Sequence, residues 1–499
     1  MREILRSRIA RLSLMTLIVG GLWGLTVWVL SGPTCPLTVS AYVEVPEETF
    51  TETLYLPLVL GDYAPPADRL CRFGVGAGQD IASYPVNGLR IGWYVDWGAT
   101  VYPARPGGID YMPMMRLRQT GPDSYTYTPS GDALTTTVTT NPGALWLIGN
   151  EPDRRRWQDD LEPHVYARAY HDLYYLIKHM DPGAQIAAGG IVQPTPLRLQ
   201  YLDMVLTTYL ELYGESMPVD VWNIHAFILR ERSCDYYPDD CWGAEVPPGI
   251  TATQGMLYEI QDNDNLDIFK QNIQRFRQWM ADRGYQAQPL IVTEFGVQMP
   301  PDLGFPPERV NAFMDATFDY LSMVTGTVGC PTDEYRLVQR WAWYSLTDDN
   351  FNGWLFDPTS KARTVFGDNF ADYTALLSAT VNLSPARLWT DPPAPSSSGE
   401  PLTLTLYARI VNNGNISTDA PVLVRFYHGD PHQDGAQVGA DQVVPVLDGC
   451  ASSATAQVVW SNVLPGPYSI YVVVDPLDTV AESDEADNTY SAPVVVTTL

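Results

Sequence analysis

Short apolar segments recur between residues 72 and 345, and most of the later ones are separated by helical patterns. Eight of them predict strands, because each is a mostly apolar run bounded by turn-forming residues. They cover residues 72–76, 89–95, 111–116, 144–149, 185–188, 219–224, 290–293 and 340–345. Apolar side chains three or four residues apart predict helices over 166–177, 269–280 and 310–321. Strands alternating with helices form a parallel sheet, so the pattern predicts an α/β fold, a (β/α)8 TIM barrel.

The pattern changes after a last predicted helix near residues 370–377. A stretch rich in proline and serine, residues 391–399, is typical of a loop. Apolar and polar residues then alternate, for example over 402–406 and 468–474, and turn signals recur at short intervals. This alternating pattern predicts a separate all-β domain with the architecture of a sandwich.

The N-terminus indicates export. Arg2, Arg6, Arg8 and Arg11 precede an apolar stretch over residues 12–30. A basic flank followed by an apolar run is typical of an export signal, and this run is about as long as a membrane span requires. We therefore predict that residues 1–31 are a signal peptide or a signal anchor, and we favour the anchor because no small-residue cleavage pattern follows. Residues 32–68 are predicted to be a stalk or linker.

The charge and cysteine content of the chain limit the classes of partner and the cellular compartment that we expect. The chain has 58 acidic and 30 basic residues, for a formal charge of −28. This excess of negative charge argues against nucleic acid as a partner, which needs a basic surface. The 6 cysteines fit an oxidising compartment, and Cys234 and Cys241 bracket a loop short enough to be closed by a local disulfide.

Two predicted strands end in a glutamate. Glu151 follows the fourth strand and Glu294 follows the seventh. Barrel enzymes place their chemistry at these strand ends, and strands four and seven face each other across the mouth. Two carboxylates about 5 Å apart can hydrolyse a glycosidic bond with retention of configuration. The alternative is that each glutamate caps a helix or pairs with an arginine, and three arginines follow Glu151 directly: Arg154, Arg155 and Arg156.

Four further residues are predicted to bind substrate. Asn150 could donate a hydrogen bond to the sugar hydroxyl beside the reacting carbon, and His225 could orient a carboxylate. Trp343 on the eighth strand and Trp97 after the second could offer flat faces for a sugar ring. A core histidine and tryptophans that fill the barrel are the competing interpretations. No phosphate-binding glycine loop or metal-binding helix motif is present, so we predict no cofactor and no metal.

The motifs Gly149-Asn150-Glu151-Pro152 and Thr293-Glu294-Phe295-Gly296 resemble clan A of the glycoside hydrolases, which are retaining (β/α)8 barrels. Finer features over about residues 73–377 resemble glycoside hydrolase family 128, the alkali-sensitive-linkage-protein type. These features are residues 112–115, 150–153, 219–225 and 291–294. The resemblance implies that Glu151 is the acid/base, Glu294 the nucleophile and Asn150 the residue that binds the neighbouring hydroxyl. It also implies endo-acting cleavage of β-1,3-glucan.

The sequence departs from the family pattern at two positions. Gly149 stands where a phenylalanine commonly precedes the asparagine. Phe227 stands where such enzymes often carry a tyrosine after the histidine, and a missing phenol would alter how the nucleophile is held.

The C-terminal segments resemble a CARDB module, an immunoglobulin-like domain of bacterial surface proteins. These segments are residues 411–415, 424–430, 474–476 and 482–488. The resemblance implies an immunoglobulin-like β-sandwich over 383–499, preceded by a barrel over 69–382. It also implies that the C-terminal domain serves as a spacer or attaches the protein to a surface.

Together these features predict a retaining glycoside hydrolase that cleaves a β-linked polysaccharide, with β-glucan as the first candidate. It would act at the cell surface or outside the cell, either secreted or anchored by one N-terminal span. The alternative is a carbohydrate-binding or adhesion protein whose barrel no longer hydrolyses.

Overall fold

The structure is a computed structural model that describes residues 70–78, 80–450 and 452–498. The predicted signal segment and stalk, residues 1–68, lie outside the described residues. No helix within the described ranges combines the length and the apolar character that crossing a membrane requires.

The first part of the chain is a barrel of parallel strands surrounded by helices. Its strands are β1 (Phe73–Gly76), β2 (Trp93–Val95), β3 (Asp110–Tyr111), β4 (Met114–Gly121), β5 (Ser124–Thr128), β6 (Leu145–Asn150), β7 (Gln185–Gly190), β8 (Trp222–His225), β9 (Leu290–Phe295), β10 (Thr325–Cys330) and β11 (Arg340–Trp343). Its helices are α1 (Asp132–Thr140), α2 (Pro163–Met180), α3 (Pro196–Tyr213), α4 (Leu266–Asp282), α5 (Pro307–Met323) and α6 (Val365–Ala375).

Hydrogen bonds between the strands close the barrel. One ladder runs in the order β3-β2-β1-β11-β9-β8, and a second contains β4-β6-β7 with β5 antiparallel on its edge. Parallel bridges from Ala187 to Val221 and from Ile191 to Ile224 connect β7 with β8. The amide of Met112 donates to the carbonyl of Tyr94, which connects β2 with the segment leading into β4. The predicted (β/α)8 fold is confirmed.

Side chains alternate between the barrel interior and the surrounding helices, as the two-residue period of a strand requires. The interior set is Trp93, Val95, Met112, Met114, Leu145, Leu147, Ala187, Val221, Ile291 and Ala342. The three predicted helical stripes lie within α2, α4 and α5 and pack on the outside of the barrel. Helix α3 was not predicted, and the β1–β2 and β2–β3 connections contain 3₁₀ turns instead of α-helices.

The second part of the chain is a sandwich of two β-sheets, as predicted. Its strands are β12 (Leu383–Asp391), β13 (Ser396–Ser397), β14 (Leu402–Asn412), β15 (Val422–His428), β16 (Ala436–Val444), β17 (Ser452–Val463), β18 (Gly466–Val474) and β19 (Thr489–Thr498). The sheets have the orders β12-β14-β17 and β13-β19-β18-β15-β16. Alternate side chains from both sheets form a separate apolar core between them.

Two disulfides are present in the described residues. Cys234 pairs with Cys241, which confirms the predicted local bridge. Cys71 pairs with Cys450 across 379 residues and joins the turn before β1 to the sandwich. Because Cys71 precedes β1, this bridge lies at the N-terminal end of the strand, away from the ends that carry Glu151 and Glu294.

We expect the long-range disulfide to matter more for stability than the local one. A cross-link restricts the unfolded chain more strongly when it closes a longer loop, and it commonly contributes about 2–4 kcal/mol. Replacing Cys71 and Cys450 together by serine should therefore lower the thermal midpoint, measured by calorimetry, more than replacing Cys234 and Cys241. An equal effect of the two double variants would contradict this expectation.

Candidate active site

The ends of three barrel strands place three ionisable side chains together. Glu151 follows β6, His225 ends β8, and Glu294 lies near the end of β9. All three are at least nine-tenths buried. One side-chain oxygen or nitrogen from each lies within 4.8 Å of those of the other two. The predicted strand-end glutamates are therefore brought together across the mouth of the barrel.

His225 lies between the two carboxylates. Its Nδ1 is 3.0 Å from Oε1 of Glu151, and its Nε2 is 3.5 Å from Oε1 of Glu294. The histidine predicted to orient one carboxylate thus contacts both. Only the contact with Glu151 is a hydrogen bond, since Nε2 is buried without a hydrogen-bond partner among the described residues. His225 therefore holds Glu151 and keeps its second nitrogen beside Glu294.

Trp97 holds Glu294 by a direct hydrogen bond. The indole Nε1 donates to Oε1 of Glu294 at 2.6 Å. Trp97 has a left-handed backbone, with φ of 56°, and its side chain is only half-buried. Among the described residues, Trp97 donates a hydrogen bond to the Glu294 carboxylate, and His225 lies 3.5 Å from it. The structure therefore places Trp97 beside the carboxylate, within the predicted substrate site.

Left-handed backbone conformations at Gly149 and Glu151 place the side chain of Glu151 at the mouth of the barrel. Gly149 has φ of 93° and Glu151 has φ of 46°. The value at Gly149 favours glycine, and an added Cβ would lie 3.3 Å from Oδ2 of Asp159. This requirement accounts for glycine at the position where the resembling family commonly has phenylalanine. The strained conformation of Glu151 is of the kind often found at functional sites.

Asp159 fixes the strand end beside Glu151. Its carboxylate accepts hydrogen bonds from the amides of Asn150 (2.8 Å) and Leu117 (3.1 Å) and from Nε of Arg116 (2.8 Å). Asn150 Nδ2 donates to Gln158 at 3.2 Å, so the nitrogen predicted to bind sugar already has a partner. The Oδ1 of Asn150 is buried and accepts no hydrogen bond from the described residues, so its capacity to accept one is unused.

Arg154 pairs with Glu151. Its Nη1 donates to Oε2 of Glu151 at 3.0 Å, and its Nη2 donates to the carbonyl of Gly243 at 3.3 Å. The alternative interpretation, in which an arginine neutralises the glutamate, is therefore realised at Glu151 by the first of the three arginines. Glu294 has Trp97 and His225 as its contacts instead.

These contacts shift the two carboxylates in opposite directions. Burial opposes ionisation of Glu151, but the charge of Arg154 and the hydrogen bond from His225 outweigh it and lower the pKa of Glu151. Burial, together with the charge of Glu151, raises the pKa of Glu294 despite His225 and Trp97. Burial disfavours the charged form of His225, yet Glu294 and Glu151 raise its pKa overall. Glu294 and His225 therefore take up a proton more readily than Glu151 does.

The prediction for Trp343 is wrong. The side chain has no exposed surface, its ring packs against Phe295 and Phe318, and its Nε1 donates to the carbonyl of Gly353. It therefore faces the helical layer and fills space there. The half-buried ring beside the carboxylates is Tyr344, which contacts Trp97, Phe227 and Phe351.

A buried ionic network beneath the site was not predicted. Arg198 of α3 forms ion pairs with Asp153 and with Glu231, and all three side chains are fully buried. It also donates to the carbonyls of Ala244 and Glu245. The network joins the loop after β6 to the long loop after β8, so it fixes the two segments that carry Glu151 and Gly243. No local sequence pattern predicts the ion pairs of Arg198, because their partners are 45 and 33 residues away along the chain.

The cluster of Glu151, His225 and Glu294 also has the donor atoms of a metal site. Arg154, however, is hydrogen-bonded to Glu151 and would repel a cation placed between the three. The arrangement fits proton transfer and nucleophilic attack better than metal binding.

Comparison with solved structures finds barrels and CARDB domains. An endo-β-1,3-glucanase of glycoside hydrolase family 128, subgroup II, from Sorangium cellulosum is 17% identical, with 61% of this chain and 98% of that chain covered and a TM-score of 0.40. A monomeric β-xylosidase from Caulobacter crescentus is 11% identical, with coverages of 83% and 98% and a TM-score of 0.41. A CARDB domain from Pyrococcus furiosus in complex with di-metal ions is 20% identical, with coverages of 24% and 90% and a TM-score of 0.19.

No curated protein matches the sequence of this chain. A family model does match its C-terminal part: residues 390–492 match the model described as CARDB. This range contains most of the strands of the β-sandwich. Residues 390–492 are therefore a CARDB domain, joined to a (β/α)8 barrel.

Proposed function

We propose that the protein is a retaining glycoside hydrolase that acts on a β-linked polysaccharide, with β-glucan as the first candidate. The observation that carries the proposal is the pair of buried strand-end glutamates, whose nearest oxygens lie within 4.8 Å. Retaining pairs are separated by about 5–5.5 Å, whereas inverting pairs need roughly 6.5–9.5 Å to admit a water molecule. The separation therefore favours retention.

In this mechanism Glu294 attacks the anomeric carbon as a carboxylate. Protonated Glu151 gives its proton to the glycosidic oxygen as the bond between carbon and oxygen breaks, and the leaving sugar departs as an alcohol. Glu151, now a carboxylate, then takes a proton from water, and the resulting hydroxide displaces Glu294 from carbon. Both carboxyl groups return to their starting forms.

The remaining contacts position these two groups. Trp97 holds Glu294 by a hydrogen bond at 2.6 Å, and His225 Nε2 lies 3.5 Å from the same carboxylate oxygen. The Oδ1 of Asn150 accepts a hydrogen bond from the hydroxyl beside the reacting carbon. A hydrogen bond to this hydroxyl raises kcat if it is stronger in the transition state than in the bound substrate.

We place the activity outside the cell or at its surface. Two disulfides within the described residues fit an oxidising environment. We retain residues 1–31 as the export signal or anchor, 69–382 as the catalytic domain and 383–499 as the domain that spaces or attaches it. The CARDB match supports a surface protein for the last assignment.

The proposal is tested by incubating the ectodomain, from about residue 36, with β-glucans, xylan and mannan. Reducing ends are measured beside the Glu151→Gln and Glu294→Gln variants. Release from one polymer by the wild type, lost in both variants, is the expected result. Binding without release from any polymer would overturn the proposal.

The pH dependence of kcat/KM follows from the shared proton. Hydrolysis needs one proton within the pair, and this proton is lost as the pH rises through the pKa of Glu294, which lies above the ordinary value of 4.5. Activity should therefore persist above pH 4.5 and fall on the alkaline side at a clearly higher pH. A profile of kcat/KM that has already fallen at pH 4.5 would contradict the raised pKa of Glu294.

A second candidate function is carbohydrate binding without hydrolysis. The ion pair between Arg154 and Glu151 favours it, because a carboxylate held by a guanidinium donates no proton. In that case sugar binding would be detected by calorimetry in the wild type and would survive Glu294→Gln.

A further inference from the structure

Arg154 contacts the carboxylate that the proposed mechanism needs in its protonated form. The amide of Arg154 donates to the carbonyl of Glu151 at 3.0 Å, and this turn brings the guanidinium back onto the side chain of Glu151. A cation at this distance favours the carboxylate over the protonated acid. In the free protein, Glu151 is therefore held in the form that cannot act as the acid.

Arg198 and Arg154 both pair with carboxylates at the end of β6 and in the loop after it, and the two are held very differently. Arg198 is fully buried, forms ion pairs with two carboxylates and donates hydrogen bonds to two backbone carbonyls. Arg154 is 20% exposed, has two acceptors, and its buried Nε has no partner among the described residues. Fewer contacts and partial exposure make Arg154 the arginine that can leave its position without unfolding the loop.

We propose that Arg154 is a positioning residue that pairs with Glu151 in the free protein and is displaced when sugar enters the site. The proposal rests on the proposed glycosidase function. Displacement frees Oε2 of Glu151 to receive a proton beside the glycosidic oxygen. His225 gives the proton on Nδ1 to Glu151, 3.0 Å away, and takes the proton of Glu294 at Nε2 once the 3.5 Å gap between them has closed to a hydrogen bond. This single transfer leaves Glu294 ionised as the nucleophile and Glu151 protonated as the acid.

The charges around Glu151 support this sequence of events. The ionisable groups that face it are Arg154 and Asp153 on its own loop, Arg198 from α3, His225 from β8, Glu294 from β9 and Tyr344 after β11. Arg198 is already paired with Asp153 and with Glu231. Arg154 is therefore the cation whose removal changes the protonation of Glu151 most.

The test compares kcat and kcat/KM across pH for the wild type, Arg154→Gln and Arg155→Gln. A neighbouring charge shifts a carboxyl pKa by about one to three units, and each unit changes the population of a protonation state tenfold. Arg154→Gln should thus raise kcat/KM at its optimum by about tenfold or more. It should change kcat much less, because Arg154 is already displaced in the complex. Arg155, which has no ion pair in the described ranges, is the matched control and should change neither.

Several outcomes would overturn the proposal. A fall in kcat/KM for Arg154→Gln would show that Arg154 binds substrate or supports the fold. An equal rise of kcat and kcat/KM would show that Arg154 stays on Glu151 in the complex. Absence of hydrolysis by the wild type would instead refute the proposed function. The inference is then tested by ¹³C NMR titration of Glu151, whose midpoint should rise in Arg154→Gln, and an unchanged midpoint would refute it.

Discussion

Glu294→Gln is expected to reduce kcat/KM by roughly 10⁴- to 10⁶-fold, the range covered by removal of one member of a catalytic unit. Glutamine has the same shape and can still accept the hydrogen bond from Trp97, but its amide oxygen does not displace the leaving group. Because burial raises the pKa of Glu294, its charge is unfavourable in the folded protein at neutral pH. The neutral variant should therefore keep or slightly raise the thermal midpoint while losing activity.

The control for this variant is Glu308→Gln. Glu308 is exposed in the first turn of α5, so this change removes a carboxylate without touching the barrel mouth. Its kinetics should match those of the wild type. Substantial hydrolysis by Glu294→Gln, in a preparation free of wild-type protein, would show that another group is the nucleophile.

Glu151→Gln should lower kcat/KM on a polysaccharide by about 10²- to 10⁴-fold, the usual contribution of general acid catalysis. The loss should be much smaller for a dinitrophenyl glycoside, whose leaving group departs without a proton. The covalent intermediate should then accumulate, because no base activates water. Added azide should restore turnover, since it attacks carbon without losing a proton and gives a glycosyl azide of retained configuration.

Azide also distinguishes the roles of the two glutamates. If azide instead rescued a small-residue variant of Glu294 and gave the retained product, the assignment of acid and nucleophile would be reversed. This comparison is informative because the pKa of Glu294 is raised and the pKa of Glu151 is lowered in the free protein. Glu294 is therefore the more easily protonated of the two before substrate binds. The proposed mechanism requires a glycosyl azide of retained configuration from Glu151→Gln and one of inverted configuration from any Glu294 variant that azide rescues.

The strands and the two glutamates were predictable because their signals are local. Parallel barrel strands are buried on both faces and appear as continuous apolar runs, such as residues 144–149 and 290–293. A glutamate directly after such a run lies at the end of the strand whatever the rest of the chain does. The position of Glu151 and Glu294 at the mouth therefore followed once the barrel was predicted.

The prediction for Trp343 failed because sequence does not show which face of a buried strand is the barrel interior. Ala342 lies in the interior, so its neighbours Trp341 and Trp343 both face the helices by the two-residue alternation of a strand. Tyr344, after the strand, takes the position beside Trp97. Both faces of a parallel barrel strand are apolar, and the pattern of apolar residues therefore does not distinguish them.

Contacts between distant segments were the least predictable part. Arg198 meets Glu231 only because α3 and the loop after β8 pack together, and Cys71 meets Cys450 only because the barrel and the sandwich are adjacent. The three arginines after Glu151 showed that an ion pair could form. The turn from Glu151 to Arg154 determines which of them forms it.

The central claim is most directly tested by the configuration of the first product. The β-linked polysaccharide that the protein hydrolyses fastest is followed by ¹H NMR before the new reducing end equilibrates. The proposed mechanism predicts that the β-anomer appears first and the α-anomer only later, by mutarotation. Initial formation of the α-anomer would show direct attack by water and would contradict a retaining role for Glu151 and Glu294.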